Sequence, residues 1–111
     1  MGYAPKWRDE LTDQLCYAFL ALETREECCR LLEDICTIGE IQALAQRLEA
    51  ARMLRAGKTY DVIAARTGMS TATISRVKKF LQYGADGYKL ILDRMEKEGR
   101  LSAPGSKNKD E

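Results

Sequence analysis

Apolar residues recur every three or four positions along most of this chain, which is the spacing of one face of an α-helix. The first such face lies within residues 7–22 and consists of Leu11, Leu15, Ala18, Phe19 and Leu22. Thr24 and Glu27 then form a capping-box pattern that predicts the start of a second helix. The inner face of this helix would consist of Cys28, Leu31, Leu32 and Ile35. Alternation typical of a strand does not extend beyond a few residues, so the pattern predicts an all-α fold.

A third and longer helix is predicted between a second capping box, Thr37 and Glu40, and the helix-ending Gly57. Its apolar residues lie on two sides: Ile41, Leu44, Ala45, Leu48, Ala50, Met53 and Leu54. An apolar surface on two sides predicts a central, heavily buried helix.

Residues 59–83 have the pattern of two short helices joined by a tight turn. Thr59 is a helix-capping residue, and Gly68 stops the first helix because it adopts a left-handed conformation at little cost. Ser70 or Thr71 caps the second helix, whose inner face consists of Ile74, Val77 and Leu81. Ala64 is small where the two helices would cross. This arrangement predicts a helix-turn-helix.

The rest of the chain completes a six-helix prediction. The run Gly-Ala-Asp-Gly ends the second helix of the pair, Asp86 or Gly87 begins a last helix, and Gly99 closes it. We therefore expect one helical domain over residues 7–98, between a flexible start (1–6) and a flexible tail (99–111). Within it we assign the core and dimerisation helices, the helix-turn-helix and the last helix to residues 7–56, 59–83 and 86–98.

The outer face of the second helix of the pair contains short polar groups and cations without a carboxylate. It consists of Thr71, Ala72, Ser75, Arg76 and Lys79. Such a face suits a helix in the major groove of double-stranded DNA, where hydroxyls and Arg reach base edges and Ala packs on a thymine methyl. The alternative is a helical hairpin with a solvated polar face.

Charge is distributed unevenly along a chain whose net charge is only +1. Residues 1–51 contain 5 basic and 10 acidic groups, whereas residues 52–83 contain 7 basic groups and one acid, Asp61. A positive charge concentrated on a helix-turn-helix is typical of a nucleic-acid binder. We expect the phosphate contacts to come mostly from Arg52, Arg55, Lys58, Lys78 and Lys79. The base-facing residues would be Thr71, Ala72, Ser75 and Arg76.

Other functional classes find little support in the composition. The chain has no histidine, and its four cysteines lack a CxxC pair, so we expect neither a metal site nor a cofactor. General acid–base catalysis would fall to carboxylates or lysine, and no nucleophile has an adjacent base, so an enzyme is not predicted. A redox role for Cys28 and Cys29 is left open. With no apolar run long enough to span a membrane and no signal-peptide pattern, we expect a cytoplasmic protein that does not bind membranes.

Two features favour a homodimer over a monomer whose first helix folds back. The first two predicted helices have wide apolar faces, which one small core does not easily cover. Helix-turn-helix proteins also commonly pair so that two recognition helices meet successive major grooves.

The segment AQRLEAARMLRAGKTYDVIAARTGMSTATISR resembles the Trp repressor and its wider superfamily of bacterial regulators. The resemblance extends from about Leu11 to Met95, and its most specific parts are the junction at Gly57 and the run from Ser70 to Arg76. It implies an intertwined, all-helical homodimer. In it the N-terminal helices of the two subunits interlock and the helix-turn-helix heads protrude.

The resemblance also implies the position of a ligand pocket. In the Trp repressor two arginines sandwich the indole ring of tryptophan, and here Arg47 and Arg76 match them. Thr73 matches a neighbouring pocket residue, and Thr37 falls where the repressor has a threonine near the same pocket. Two positions depart from the family pattern, since Val77 replaces a glycine and Phe80 replaces a serine. We expect these larger side chains to fill the space, leaving a vestigial pocket that does not bind tryptophan; whether another small molecule binds stays open. Cations on the first helix of the motif are replaced by Val62 and Ala65, so the resemblance does not identify the operator.

Together these patterns predict a sequence-specific transcriptional regulator, a repressor, that acts as a homodimer. The alternative is an architectural or protein-interaction module with the same fold and no operator preference.

Overall fold

A computed structural model of the chain describes residues 3–99, and this part of the chain is all α-helical. Its six helices are α1 (Glu10–Leu20), α2 (Arg25–Ile35), α3 (Ile38–Arg55), α4 (Tyr60–Thr67), α5 (Thr71–Tyr83) and α6 (Gly87–Lys97). The predicted fold class is confirmed. The chain divides into two compact units between Ile41 and Gln42. Helix α3 passes through this division, and the prediction of a single domain stays a prediction.

The first helix is shorter than the apolar pattern predicted, because a polar cap sets its start. Asp9 accepts a hydrogen bond from the backbone N–H of Thr12 at 2.8 Å, and the Thr12 hydroxyl accepts one from the backbone N–H of Asp9 at 2.8 Å. These bonds satisfy donors that a helix start otherwise leaves free, so α1 begins at Glu10. The backbone N–H of Thr12 also lowers the pKa of the Asp9 carboxyl. Trp7 therefore lies before the helix rather than at its first turn.

The two predicted capping boxes differ in the structure. Thr37 and Glu40 form both bonds of the box: Thr37 Oγ1 accepts from the Glu40 backbone at 3.1 Å, and the Glu40 carboxylate accepts from the Thr37 backbone at 2.8 Å. At α2 only half of the box forms. Thr24 Oγ1 accepts from the Glu27 backbone at 3.1 Å, but the Glu27 carboxylate accepts from the backbone of Glu23, one residue earlier.

Neither α1 nor α2 contains a buried residue in the single chain. Leu11 is 74% and Leu20 78% exposed, although both belong to the apolar surface that the sequence assigned to α1. On α2, Ile35 is 50% exposed, whereas Cys28, Leu31 and Leu32 are only partly covered. The apolar faces exist as predicted, but this chain alone does not bury them.

The prediction that α3 is buried along its length is correct only for its C-terminal part. Its buried residues run from Ala50 to Met53, whereas Leu44, two turns earlier, is 48% exposed. The two-sided apolar pattern therefore includes a C-terminal stretch that is buried in this chain and an earlier stretch that is only partly covered.

The core lies in the second unit and joins α3 to the helices that follow. It consists of Ala50, Ala51, Met53, Ile63, Met69, Ile74, Val77 and Leu92. The half-buried residues packed against it are Leu48, Leu54, Tyr60, Ala64 and Tyr88. Most of these residues belong to α3, α4 and α5, so the core fixes the helix-turn-helix to the end of α3.

The helix-turn-helix forms as the sequence predicted. Thr59 Oγ1 caps α4, and the cap of α5 is Ser70, which accepts from the Thr73 backbone at 3.2 Å. Gly57 and Gly68 have φ angles of +83° and +78°, in the left-handed region that ends α3 and α4 without a Cβ penalty. Asp86, before α6, is also left-handed, with φ of +68°, and its carboxylate does not cap the helix. The flexible tail predicted for 99–111 and the first two residues of 1–6 lie outside the described residues, apart from Gly99.

Candidate nucleic-acid interface

Helix α5 presents to solvent the face that the sequence assigned to DNA. Its five members are all exposed: Thr71, Ala72, Ser75, Arg76 and Lys79. On the opposite side, Ile74 is 0% and Val77 4% exposed, which anchors the helix in the core. Because residues three and four apart share a face of a helix, this anchoring fixes which side chains point outward. No acidic residue occurs anywhere in α5.

Arg52, one of the five predicted phosphate contacts, is not positioned for that role. Its side chain is only 5% exposed, and its Nε and Nη2 donate to the two carboxylate oxygens of Glu49 at 2.9 and 2.8 Å. Glu49 Oε2 also accepts from Arg66 Nε at 2.9 Å. One carboxylate of α3 thus binds two arginines and links α3 to α4. The sequence could not distinguish this buried arginine from a surface one, because both occur in the same positive segment.

Arg55, the second predicted contact, is also paired. Its guanidinium donates to the carboxylate of Asp93 and, at 3.4 Å, to that of Glu96, both on α6. Arg52, Arg55 and Arg66 are therefore neutralised by acids from outside residues 52–83. Within residues 3–99, the cations of this segment without a carboxylate partner are Lys58, Arg76, Lys78 and Lys79. The excess of basic groups counted in residues 52–83 therefore overstates the charge available to DNA.

Lys78 has a different kind of neighbour. Its Nζ lies 5.9 Å from the centre of the Tyr60 ring, a geometry in which the ring quadrupole attracts the ammonium. Tyr60 is the first residue of α4, so this contact joins the two helices of the motif.

A cavity of about 290 Å³ lies beside α5 and brings together most of the predicted pocket. Its walls are Arg47, Thr73, Arg76, Val77, Phe80 and Tyr88. Arg47 comes from α3 and Arg76 from α5, so both arginines assigned to the pocket line the same space. A cavity of this volume lies at the lower end of the range for small-molecule sites.

The expectation that Val77 and Phe80 fill this space is not what the structure shows. Val77 is 4% exposed because it packs into the core, and Phe80 leaves 53% of its surface exposed to solvent. Both line the cavity without closing it. Thr37 lies in the other compact unit, where it caps α3. Its expected place near the pocket therefore stays a prediction.

Tyr88 is a wall residue that the sequence analysis did not assign to the pocket. Its periodicity placed it on the apolar face of α6, and it does pack against the core. Burial raises the pKa of its hydroxyl, and the positive charge of Arg47 opposes that shift. Residue spacing within one helix gave no signal that α6 would return beside Arg47.

A second, more open hollow of about 460 Å³ shares three of these walls, Arg47, Phe80 and Tyr88. Its other walls include Leu44, Leu48 and Ile91, so its floor is largely apolar. Leu44 and Ile91 are 48% and 43% exposed. The α3–α6 side of this unit thus presents an uncovered apolar surface next to the cavity.

Residues 3–99 contain neither a candidate metal site nor a candidate membrane span. No group of three or more Cys, Asp or Glu residues there is arranged to hold a metal ion. No helix in that range is long and apolar enough to cross a membrane.

Comparison with known proteins identifies the family. The sequence model of the Trp repressor protein family matches residues 10–96, and the chain belongs to this family. It is 57% identical over 91 residues to the uncharacterized protein YerC of Bacillus subtilis (strain 168), covering 82% of this chain and 88% of that protein. Its fold is similar to the crystal structure of a candidate Trp repressor from Staphylococcus aureus, with a TM-score of 0.79 and 53% identity over 82% of this chain and 91% of that one. A TrpR-like protein from Eubacterium eligens matches with a TM-score of 0.78 and 46% identity, covering 87% and 97% of the two chains.

These similarities confirm the family resemblance derived from the sequence and the Trp-repressor-like fold. The fold is that of a DNA-binding regulator and not of an enzyme, as the sequence predicted.

Proposed function

We propose that this protein is a sequence-specific regulator of transcription, a repressor, that binds double-stranded DNA as a homodimer in the cytoplasm. The observation that supports this most directly is the outward face of α5, which is exposed and free of carboxylates. Cations that have no carboxylate partner within residues 3–99 flank this face. Short hydroxyl side chains at Thr71 and Ser75 suit base edges, while Lys58, Lys78 and Lys79 suit phosphates. Arg76 has two possible roles, because it is exposed on α5 and also lines the cavity.

The first test separates base recognition from backbone binding. Replacing Lys79 by Ala removes a cation and should weaken binding to an operator, obtained by selection from a random DNA pool, and to random duplexes alike. Replacing Ser75 by Leu puts a bulky apolar group on the exposed face and should weaken operator binding selectively, since one lost base contact is worth about 1–3 kcal/mol. Competition mobility-shift assays measure, for each variant, the ratio of its affinity for the operator to its affinity for random duplexes. Equal losses from the two substitutions would favour the architectural module over an operator-specific regulator.

The homodimer is supported by the apolar surfaces that the single chain leaves exposed. Helices α1 and α2 bury no residue, and Trp7, Leu11 and Leu20 are each more than half exposed. An exposed apolar surface of this extent on a soluble domain marks an interaction site. Together with the family membership, it favours the intertwined arrangement, in which a second copy covers these helices.

We expect sedimentation equilibrium at micromolar concentration to give twice the chain mass of 12.5 kDa. Replacing Leu11 by Lys, which buries a charge in the proposed interface, should shift the mass toward that of one chain. Replacing Glu10, the neighbouring residue, by Lys serves as the control. A wild-type monomer that remains fully helical at this concentration would contradict the intertwined dimer.

We further propose that tryptophan is not the effector, although the cavity is open. Val77 and Phe80 line the cavity at positions where the resemblance implies a glycine and a serine, so less space remains there for an indole ring. Crowding a ligand against larger side chains in a packed site costs about 1–3 kcal/mol.

We expect calorimetric titration with tryptophan to show no saturable heat and operator affinity to be equal with and without it. Replacing Arg47 by Gln is the matched comparison, since any heat that arises from binding in the cavity should fall when this wall residue is changed. Saturable micromolar binding that also tightens the DNA complex would show that the cavity is a tryptophan site after all.

A further inference from the structure

The contact between Lys78 and Tyr60 joins a half-buried ring to a charge on an exposed side chain. Tyr60 is half-buried and packs against the core, so its ring is held in place. Lys78 is exposed, and its Nζ lies 5.9 Å from the ring centre. A lysine ammonium within about 6 Å of an aromatic face is attracted to it, and the attraction involves no neutralising charge.

The acid that follows Tyr60 in the sequence does not pair with Lys78. Asp61, the one acid of residues 52–83, directly follows Tyr60 and is exposed. Within residues 3–99, Lys78 forms no ion pair with Asp61 or with any other carboxylate. Arg52, Arg55 and Arg66 are neutralised by such pairs, whereas Lys78 lies against a ring that carries no charge.

The position of the ammonium matters because of the helix to which it belongs. Lys78 follows Ser75 by three residues and Thr71 by seven, so it shares their side of α5. Tyr60, as the first residue of α4, draws it toward the start of that helix, two residues after Lys58. A free lysine side chain populates many rotamers and loses this freedom when it binds a phosphate. A lysine already held by a ring loses less.

We propose that Tyr60 is a positioning residue for DNA binding: its ring holds the charged ammonium of Lys78 beside the start of α4, where it binds a backbone phosphate. This proposal rests on the proposed function, since it assigns a role within the same DNA-binding surface. Tyr60 itself touches no DNA and acts through Lys78.

The experiment is a double-mutant cycle on a random-sequence duplex, read by fluorescence anisotropy. Tyr60→Leu keeps an apolar side chain and removes the ring, Tyr60→Phe keeps the ring, and Lys78→Met removes the charge. When Lys78 is present, Tyr60→Leu should weaken DNA binding about two- to fivefold for each helix-turn-helix head. Tyr60→Phe should weaken it less than twofold. In the Lys78→Met background, Tyr60→Leu should add no further loss. Circular dichroism melting of each variant records the stability separately.

An equal loss from Tyr60→Leu in both backgrounds would show that the residue acts through the fold of α4 and would overturn the proposal, as would no loss in either.

A second measurement does not depend on DNA. The Lys78 ε-methylene protons in the free protein should show an upfield ring-current shift that Tyr60→Leu abolishes and Tyr60→Phe retains. If the wild-type protein shows this shift but does not bind DNA, the proposed function is wrong, whereas the contact between Lys78 and Tyr60 is supported. DNA binding without the shift would refute the role of Tyr60 alone.

Discussion

Raising the salt concentration from about 50 to about 200 mM is expected to weaken duplex binding by the proposed dimer roughly 10⁴-fold, because each neutralised phosphate releases counterions. The size follows from the four cations of residues 52–83 that have no carboxylate partner in the described chain: Lys58, Arg76, Lys78 and Lys79. Eight such cations in a dimer give a slope of about −7 for the logarithm of affinity against the logarithm of salt.

The same titration tests which cations bind phosphate. If Arg52, Arg55 and Arg66 left their carboxylates to bind DNA, the slope would approach about −13, because fourteen cations would then take part. Two substitutions with the same change of charge provide the matched comparison. Lys58→Gln should reduce the magnitude of the slope by about one for each head, whereas Arg55→Gln should leave it unchanged. A slope near zero would exclude backbone binding by this surface.

Replacing Glu49 by Ala is expected to lower the free energy of unfolding by about 3 kcal/mol, the lower end of the range for breaking a buried ion pair. Glu49 accepts from Arg52 at 2.9 and 2.8 Å and from Arg66 at 2.9 Å, and the Arg52 side chain is 5% exposed. Without the carboxylate, the Arg52 guanidinium would keep its charge in the interior and lose its bidentate partner. We place the effect at the lower end because Glu49 is 20% and Arg66 36% exposed, which leaves part of the network to solvent screening.

Urea unfolding at one fixed protein concentration measures this loss. Glu26→Ala is the matched control, because it breaks the Glu26–Arg30 pair, whose side chains are 72% and 74% exposed. A pair this exposed contributes about 0.5 kcal/mol or less. Equal losses from the two substitutions would show that burial of Arg52 does not strengthen its dependence on Glu49.

The helix-turn-helix was the most predictable part of the fold because its signals are local. Thr59, Gly68 and Ser70 act within a few residues of themselves, through a cap or a backbone angle, and each does so in the structure. Gly57 ends α3 for the same reason. The shortened start of α1 was missed because Asp9 and Thr12 form a capping box with threonine in place of the usual acid or amide.

Features that depend on distant residues could not be derived from spacing. Nothing in the run around Arg52 and Arg55 indicates that one is buried against Glu49 and the other is held by Asp93, 38 positions away. Tyr88 was assigned to a helix face, and only the return of α6 beside Arg47 makes it a wall of the cavity. The open cavity was missed for a related reason: Val77 packs into the core and Phe80 is half exposed to solvent, placements that residue size alone does not give.

The absence of buried residues in α1 and α2 has a consequence for how much of this protein a cell must make. If a second copy covers these helices, folding and assembly follow one mass-action equilibrium, and stability rises with the concentration of the chain. Chains made at low abundance would spend more time with these helices uncovered and accessible to proteases. Abundance would then determine operator occupancy twice, through the number of dimers and through the lifetime of each chain.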